Sequence, residues 1–408
     1  DTLANSLKIK LRRLIQHEPR IGERIEVYDM ESIGRRFYEL NFGSPNIPTH
    51  DEIEKMLAAA SANTETHKFN QRFLKAEWEQ VVDAWQLESW DAYRDVIRLG
   101  RKTRLPEKQR AILWSIFEKV RSELRDKELV TLSEMYNRLA IHFSDHESYP
   151  FDYIVVDESQ DIGIAQLRFL AALGAGRPDS LFFAGDLGQR IFQKPFSWKA
   201  LGVDIRGRSK TLRINYRTSH QIRSQADLLL AGELSDVDGN TEKRKGTISL
   251  FNGPNPAIHI FHTQKEESES VGQWILDRMK EGVKPQEVGI FVRSEAELSR
   301  ACEAIEGTGK PYHLLDDKVS TNTDRISLST MHLAKGLEFR AVVVMACDDE
   351  IIPSQERIET AGDDSELEEV YNTERHLLYV ACTRARDHLL VTGVNPVSEF
   401  VDDIDSTG

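Results

Sequence analysis

Short apolar segments that end in polar residues are the feature that most restricts how this 408-residue chain can fold. They begin after residue 150, and segments with helical periodicity separate several of them. Such segments are typical of buried, mostly parallel strands in doubly wound sheets. In chain order they are YIVVD, LFFAGD, ISLF, IHIFH, VGIFV, ISLSTMH, AVVVMAC and LLVTG. We therefore predict an α/β fold with two parallel-sheet units, one centred on residues 150–200 and one on 245–395.

The region before these segments has a helical pattern. After Pro106, apolar residues recur at the spacing of one helix face, and similar periodicity extends over residues 37–146. The residues on the face after Pro106 are Leu113, Ile116, Phe117, Val120 and Leu124. The pattern predicts an all-helical block ahead of the first sheet unit.

Composition restricts the class of protein. The formal charge of −14 argues against a surface that is basic throughout, although local basic patches remain possible. The three cysteines have no paired spacing, so neither a disulfide framework nor a zinc site is predicted, and a reducing cytoplasm is the expected location. No apolar segment approaches the roughly 18 residues that span a bilayer, so no membrane association is expected.

Carboxylates cluster where two of the predicted strands end. Asp157 and Glu158 follow YIVV, and Asp186 ends LFFAGD with Gln189 close behind. Ligands of open parallel sheets collect at the carboxyl ends of strands, and Mg²⁺ is held by one or two carboxylates together with waters and phosphates. The alternative for an isolated Asp-Glu pair is a simple helix cap. The second strand-end group, Asp186 with Gln189, favours a magnesium site.

Five segments resemble, in order, motifs II to VI of the superfamily 1 DNA helicases of the UvrD and Rep type. They are VVDESQD, FFAGDLGQRIF, LRINYRTS, STMHLAKGLEF and YVACTRARDHLLV. The resemblance implies two RecA-like domains with a helical 1B-like insertion. Residues 220–328, between the segments that resemble motifs IV and V, leave little room for a full 2B subdomain. The expected division is 1–36 and 147–200 for the first RecA-like domain, 37–146 for the insertion and 201–408 for the second.

The resemblance also implies a use of ATP and Mg²⁺. By this resemblance Asp157 would hold Mg²⁺, Glu158 would activate water and Gln189 would sense the γ-phosphate. Arg217 and Arg384 would neutralise the departing phosphate as arginine fingers supplied within the chain. Hydrolysis between two α/β domains requires such positive charge opposite the magnesium site.

Further residues match motif positions that contact nucleotide or DNA. Tyr216 resembles the aromatic that stacks on adenine, Glu338 resembles the ribose contact, and Gly336 lets backbone amides approach an anion. Single-strand binding also requires aromatic rings interleaved with basic residues. The predicted DNA contacts are Phe192, Phe196, Trp198, Thr330, His332 and Lys335.

The phosphate-binding loop G-x-x-x-x-G-K-[ST] of the family does not occur in the 408 residues. The only Gly-Lys pair lies in Gly307–Pro311, where Pro replaces the Ser or Thr and an earlier Gly is missing, so a helix-to-strand turn is expected there. Without that loop the chain as written is expected to bind ATP poorly and to hydrolyse it slowly. Because the chain begins within a segment that resembles motif Ia, truncation of a complete helicase is the simplest expectation.

Three functions follow as alternatives. The first is the motor core of an ATP-dependent helicase or translocase that moves along single-stranded or partly duplex DNA, 3' to 5' by resemblance. The second is a DNA-binding or scaffolding module that does not hydrolyse ATP and serves a protein partner such as a nuclease. The third is a metal nuclease using Asp157, Glu158 and Asp161, which is disfavoured because no E-x-K follows.

Overall fold

The computed structural model describes most of the chain, and its sheets and helices confirm the predicted α/β class. No helix in the described part of the chain is long and apolar enough to cross a membrane. The described residues are 2–15, 18–64, 67, 69–96, 105–146, 149–186, 196–230, 233–235, 238–239, 241–243, 247–315, 324–359 and 364–404.

Helices form the first part of the chain, as the periodicity of residues 37–146 predicts. The five apolar residues predicted to share one face after Pro106 are all buried in a single helix, α7. A π-helical turn at Trp78–Asp83 follows α5. The helices are α1 (Thr2–Leu14), α2 (Pro19–Gly22), α3 (Met30–Phe42), α4 (His50–Ala62), α5 (Gln71–Glu77), α6 (Trp90–Asp95), α7 (Glu107–Asp126) and α8 (Leu132–His146).

Side-chain caps begin several of these helices. The Asp29 carboxylate accepts a hydrogen bond from the Ser32 amide at 2.8 Å at the start of α3. At the start of α4, Thr49 and Glu52 form a reciprocal capping box. Because each cap satisfies amide groups that have no partner within the helix, the boundaries follow from local chemistry.

The first parallel pair of strands is β1 (Ile154–Val156) with β2 (Leu181–Phe183), joined through α9 (Ile164–Gly174). The expectation that this apolar segment is a fully buried strand is wrong for one face. Val156 is 8% exposed, whereas Val155 is 73% exposed. Alternate residues of a strand point to opposite faces, and in the described residues only one face of this pair packs on helices.

Two small sheets connect the halves of the chain. β3 (Ile214–Asn215) pairs in parallel with β6 (Ile248–Ser249). Between them, β4 (Glu233–Ser235) and β5 (Thr241–Lys243) form an antiparallel pair. The strand predicted in ISLF is therefore present and pairs with the segment that leads into Tyr216.

The second large unit is a six-stranded, fully parallel sheet. Its strand order, β7-β12-β11-β8-β10-β9, differs from chain order, as expected for a doubly wound arrangement. Its strands are β7 (Ala257–Phe261), β8 (Val288–Val292), β9 (Tyr312–Leu314), β10 (Ile326–Thr330), β11 (Phe339–Val344) and β12 (Ala385–Val394). Its helices are α10 (His220–Ala226), α11 (Gln264–Lys280), α12 (Leu298–Glu306), α13 (Gln355–Glu359), α14 (Asp364–Cys382) and α15 (Glu399–Ile404).

Two apolar cores cover the two faces of this sheet. One contains Phe291, Phe339 and Leu378, and the other contains Val271, Ile290 and Leu328. The strand β8 is buried along its whole length because both of its faces are covered. This double burial explains why the central strands are uniformly apolar in sequence and do not alternate.

Candidate functional site

The backbone turns sharply where β1 ends at the predicted carboxylates. Glu158 has a φ of 52°, in the left-handed region that non-glycine residues rarely adopt. Its amide donates a 3.0 Å hydrogen bond to Oδ1 of Asp157. Strained conformations of this kind cluster at functional sites.

Gln160 connects the two strand ends, a role that the sequence analysis missed. Its side-chain amide donates to Oε2 of Glu158 at 2.5 Å, and its carbonyl accepts from the Asp186 amide at 3.0 Å. A Cβ atom on Gly185 would lie 2.5 Å from Oε1 of Gln160, so only glycine fits beside this amide. The Gln of DESQD and the Gly of AGD were visible in sequence, but only their contact explains them.

A cavity of about 500 Å³ lies next to these strand ends. Asp186, which follows β2, lines it from the first unit. The rest of the lining comes from the segment around β3 and from the unit of the six-stranded sheet. The structure thus brings together Tyr216, Arg217, Glu338 and Arg384, which the sequence analysis predicted for one nucleotide site.

Arg217 and Glu338 contact each other within this cavity. Nε of Arg217 donates to Oε2 of Glu338 at 3.1 Å, and both side chains are about half exposed. The Arg217 amide also donates to Oδ1 of Asn215 at 2.9 Å, which anchors the turn after β3. An exposed ion pair contributes little to stability, so the guanidinium can exchange this partner for a phosphate at small cost.

Arg384 is almost completely buried where α14 leads into β12. Its Nε donates to the carbonyl of Val380 at 3.0 Å. Burial, and then the charge of Arg217, lower the pKa of Arg384 to about 10, while the carboxylates of Glu158 and Asp186 oppose this shift. The side chain therefore stays protonated at neutral pH and is held rigidly in the field of the opposite carboxylates.

Lys335 contacts the carboxylates of Asp161 and Glu158 in the first unit. Its Nζ is 2.6 Å from Oδ2 of Asp161 and 3.6 Å from Oε2 of Glu158. Burial raises the pKa of Asp161, and the hydrogen bond and charge of Lys335 act against that rise. Gly336 follows with a φ of 77°, which glycine adopts without strain.

Thr330 precedes the turn that follows β10, and His332 lies within that turn. Thr330 ends the strand, and a 3-10 turn at Met331–Ala334 begins directly after it. Burial, and then the positive charge of Arg293, lower the pKa of His332 to about 4, whereas Glu374 acts in the opposite direction. His332 is therefore neutral at physiological pH.

The charges that act on His332 belong to a buried ion-pair group that was not predicted from the sequence. Arg293 donates to both carboxylate oxygens of Glu374, at 2.5 and 2.6 Å, and Arg357 donates to the same carboxylate at 2.8 Å. Burial raises the pKa of Glu374, but the hydrogen bonds and charges of Arg293 and Arg357 outweigh it and lower the pKa overall. Arg293 directly follows β8, and Glu374 lies in α14. No pattern in the sequence predicts that these two residues contact each other.

The aromatic residues predicted to contact DNA are only partly described. Gln189 and Phe192 lie outside the described residues. Phe196 and Trp198 are partly buried against a small core that contains Val156 and Leu167. The Trp198 ring meets Phe183 edge-on at 4.8 Å between ring centroids. The segment around Trp198 is held further by its amide, which donates to Asp238 at 2.7 Å.

The carboxylates at the strand ends provide few protein ligands for a metal. In the described ranges no group of three or more His, Cys, Asp or Glu side chains is arranged to hold a metal. Two strand-end carboxylates, the exposed Asp157 and the partly buried Asp186, suit a Mg²⁺ ion that takes most of its oxygen ligands from water and phosphates. The residues present therefore fit a magnesium-nucleotide complex better than a metal held by protein alone.

The segment Gly307–Pro311 is a turn, as predicted. α12 ends at Glu306, β9 begins at Tyr312, and Gly309 has a φ of 66°. This segment is not a phosphate-binding loop.

Comparisons with known proteins agree with the motif order. Residues 6–197 match the model of the UvrD/REP helicase N-terminal domain, and residues 312–395 match that of the UvrD-like helicase C-terminal domain. The chain is 27% identical over 254 residues to a probable DNA helicase of Mycoplasma pneumoniae, covering 60% of this chain and 44% of that protein. It is 22% identical over 333 residues to the ATP-dependent DNA helicase UvrD2 of Mycobacterium bovis, covering 58% and 47%.

Two further similarities are local or weak. The putative ATP-dependent DNA helicase YjcD of Bacillus subtilis is 45% identical over 78 residues, which are 19% of this chain and 10% of that protein. The crystal structure of the C-terminal domain of a possible DNA helicase from a Lactobacillus strain superposes with a TM-score of 0.33 at 20% identity, covering 47% of this chain and 96% of that domain. The chain spans less than half the length of each full-length relative named here. Since an N-terminal and a C-terminal model of one family match it in order, the chain belongs to the UvrD/REP helicase family.

Proposed function

We propose that this chain forms the motor core of an ATP-dependent helicase or translocase that moves along single-stranded DNA, 3' to 5' by family resemblance. One observation carries the proposal: the cavity beside Asp186 is lined by Tyr216, Arg217 and Arg384, so cationic and carboxylate groups of separate sheets share one space. Transfer of a phosphoryl group requires this opposition of charges. A cytoplasmic location and the domain limits given above remain predictions.

The roles in and beside the cavity follow from the chemistry of each group. Asp157 would hold Mg²⁺, which when bound neutralises charge on the phosphates. Glu158, oriented by Gln160, would accept the proton of the attacking water. Arg384, already rigid, and Arg217, free to leave Glu338, would meet the charge that develops on the γ-phosphate.

The remaining predicted contacts complete this proposal. Tyr216 is exposed beside the cavity and would stack on adenine, and Glu338 would bind the ribose once Arg217 has moved. Gln189 would sense the γ-phosphate. DNA would lie against Thr330 and the neutral His332, with Phe192, Phe196 and Trp198 offering aromatic faces to the bases.

A second function is favoured by one specific observation. No segment of the 408 residues follows G-x-x-x-x-G-K-[ST], and this loop supplies much of the grip on the β- and γ-phosphates in this family. A non-hydrolysing DNA-binding module that works with a protein partner, such as a nuclease, would not require it. The retained arginines and carboxylates favour the motor.

Steady-state ATP hydrolysis with and without single-stranded DNA tests the choice. It should be measured for the 408-residue chain and for the product of the whole gene, each with a Glu158→Gln variant. Glu39→Gln, on an exposed surface of α3, is the matched control. We expect DNA-stimulated turnover in the gene product that Glu158→Gln removes and Glu39→Gln preserves. DNA binding without turnover in every form would establish the non-hydrolysing module instead.

A further inference from the structure

The contact between Lys335 and Asp161 joins two parts of the chain that lie on different sheets. Asp161 ends the short 3-10 turn after β1, and Lys335 follows the 3-10 turn after β10. The two residues are 174 positions apart, yet Nζ of Lys335 lies 2.6 Å from Oδ2 of Asp161. The Lys335 side chain is only 11% exposed and that of Asp161 is 32% exposed, so the contact is partly shielded from solvent and from salt.

The same ammonium group also faces Glu158. Its Nζ is 3.6 Å from Oε2, the oxygen that accepts the amide hydrogen bond from Gln160. The same oxygen of Glu158 therefore faces a donor from its own unit and a cation from the other unit. The left-handed backbone conformation of Glu158 limits how far its side chain can move if Gln160 or Lys335 is removed.

This geometry differs from that of a DNA phosphate contact. A lysine on a DNA-binding surface offers its ammonium to the phosphates of the strand, whereas the ammonium of Lys335 is largely buried and already faces two carboxylates. Removal of the Lys335 ammonium would leave the mostly buried Asp161 carboxylate unpaired, because its other oxygen, Oδ1, has no hydrogen-bond partner. The cost of an unpaired buried charge makes the placement of Lys335 and the placement of these carboxylates interdependent.

We propose that Lys335 is a positioning residue that orients Glu158 through Asp161 when the two sheets are together, and that it is not a DNA contact. This rests on the proposed function, because a position for Glu158 matters only if that carboxylate accepts a proton. The pair makes the geometry of the proton acceptor depend on the approach of the second sheet. Hydrolysis is thereby restricted to the arrangement in which Arg384 also faces the carboxylates.

The test uses Lys335→Gln, Asp161→Asn, their double variant and Lys335→Arg in the product of the whole gene. Lys310→Gln, an exposed lysine in the turn before β9, is the matched control. We expect Lys335→Gln and Asp161→Asn each to lower kcat by about 10- to 100-fold, with KM for ATP and Kd for a single-stranded oligonucleotide changed less than about twofold. The double variant should be no slower than the slower single variant, and Lys335→Arg should recover part of kcat.

Three outcomes overturn the proposal, and they differ from one another. A weaker Kd with a salt dependence reduced by about one ion for Lys335→Gln alone would make Lys335 a DNA contact. Unchanged kcat in an active protein would leave the pair a structural contact only. A wild-type protein without turnover would remove the proposed function together with this role, and thermal unfolding of the 408-residue chain would then show whether the two substitutions are still coupled.

Discussion

Arg293 and Glu374 form a doubly hydrogen-bonded, buried ion pair, with N–O distances of 2.5 and 2.6 Å. Arg293 follows the central strand β8, and Glu374 lies in α14, the helix that leads to Arg384. Arg357 completes the group by donating to the same carboxylate. The pair therefore connects the helix that precedes one predicted arginine finger, Arg384, to the middle of the sheet.

Replacing Glu374 with Gln should destabilise the protein by about 3–5 kcal/mol, because two arginines would then share one neutral partner in a buried place. Urea unfolding followed by fluorescence measures this change. Glu359→Gln, which alters an exposed carboxylate in α13 nearby in sequence, should change the unfolding free energy by less than about 0.5 kcal/mol. Equal effects of the two substitutions would contradict a special role for the buried pair.

Arg384→Ala should lower DNA-stimulated ATP hydrolysis by about 10³-fold in the product of the whole gene, since the side chain faces the cavity and stays charged. Affinity for single-stranded DNA should be unchanged. Arg386→Ala is the control, because Arg386 pairs with Asp387 and does not line the cavity. Unchanged turnover in a folded Arg384→Ala protein would exclude the arginine-finger role.

Trp198→Ala should weaken binding of single-stranded DNA by roughly 1–3 kcal/mol if the indole stacks on a base. The ring also packs on Phe183, so thermal unfolding must be measured in parallel. Trp198→Phe keeps an aromatic face and should retain most of the affinity. A lower Tm with unchanged DNA affinity would assign Trp198 to packing alone and leave the stacking role to Phe192 or Phe196.

His332 predicts a pH dependence of stability. Its pKa is about 4 in the folded protein and has the ordinary value near 6.5 when unfolded, so between these values the unfolded chain binds more protons. Acidification from pH 7 to 5 should therefore destabilise the wild type by about 2 kcal/mol more than a His332→Asn variant. Denaturant unfolding at both pH values measures the difference, and parallel losses in the two proteins would refute it.

The tertiary structure altered several interpretations made from sequence. Periodicity and strand-end chemistry located the α7 face, the strands and the carboxylates at Asp157 and Glu158, because these depend on neighbours in the chain. Exposure of Val155 could not be predicted, since it depends on which elements cover each face of the sheet. Lys335 is predicted by resemblance to contact DNA, and the sequence did not indicate that its ammonium also lies 2.6 Å from Oδ2 of Asp161.

By itself the sequence determined the class of fold, the order of the motifs and the chemical groups available at a nucleotide site. The tertiary structure alone decided which of those groups meet: Gln160 with Glu158, Lys335 with Asp161, and Arg293 with Glu374. The physical reason is the separation along the chain of the residues that interact. Local patterns record hydrogen bonding and burial within one element, whereas an ion pair between residues 174 positions apart exists only once two sheets have packed.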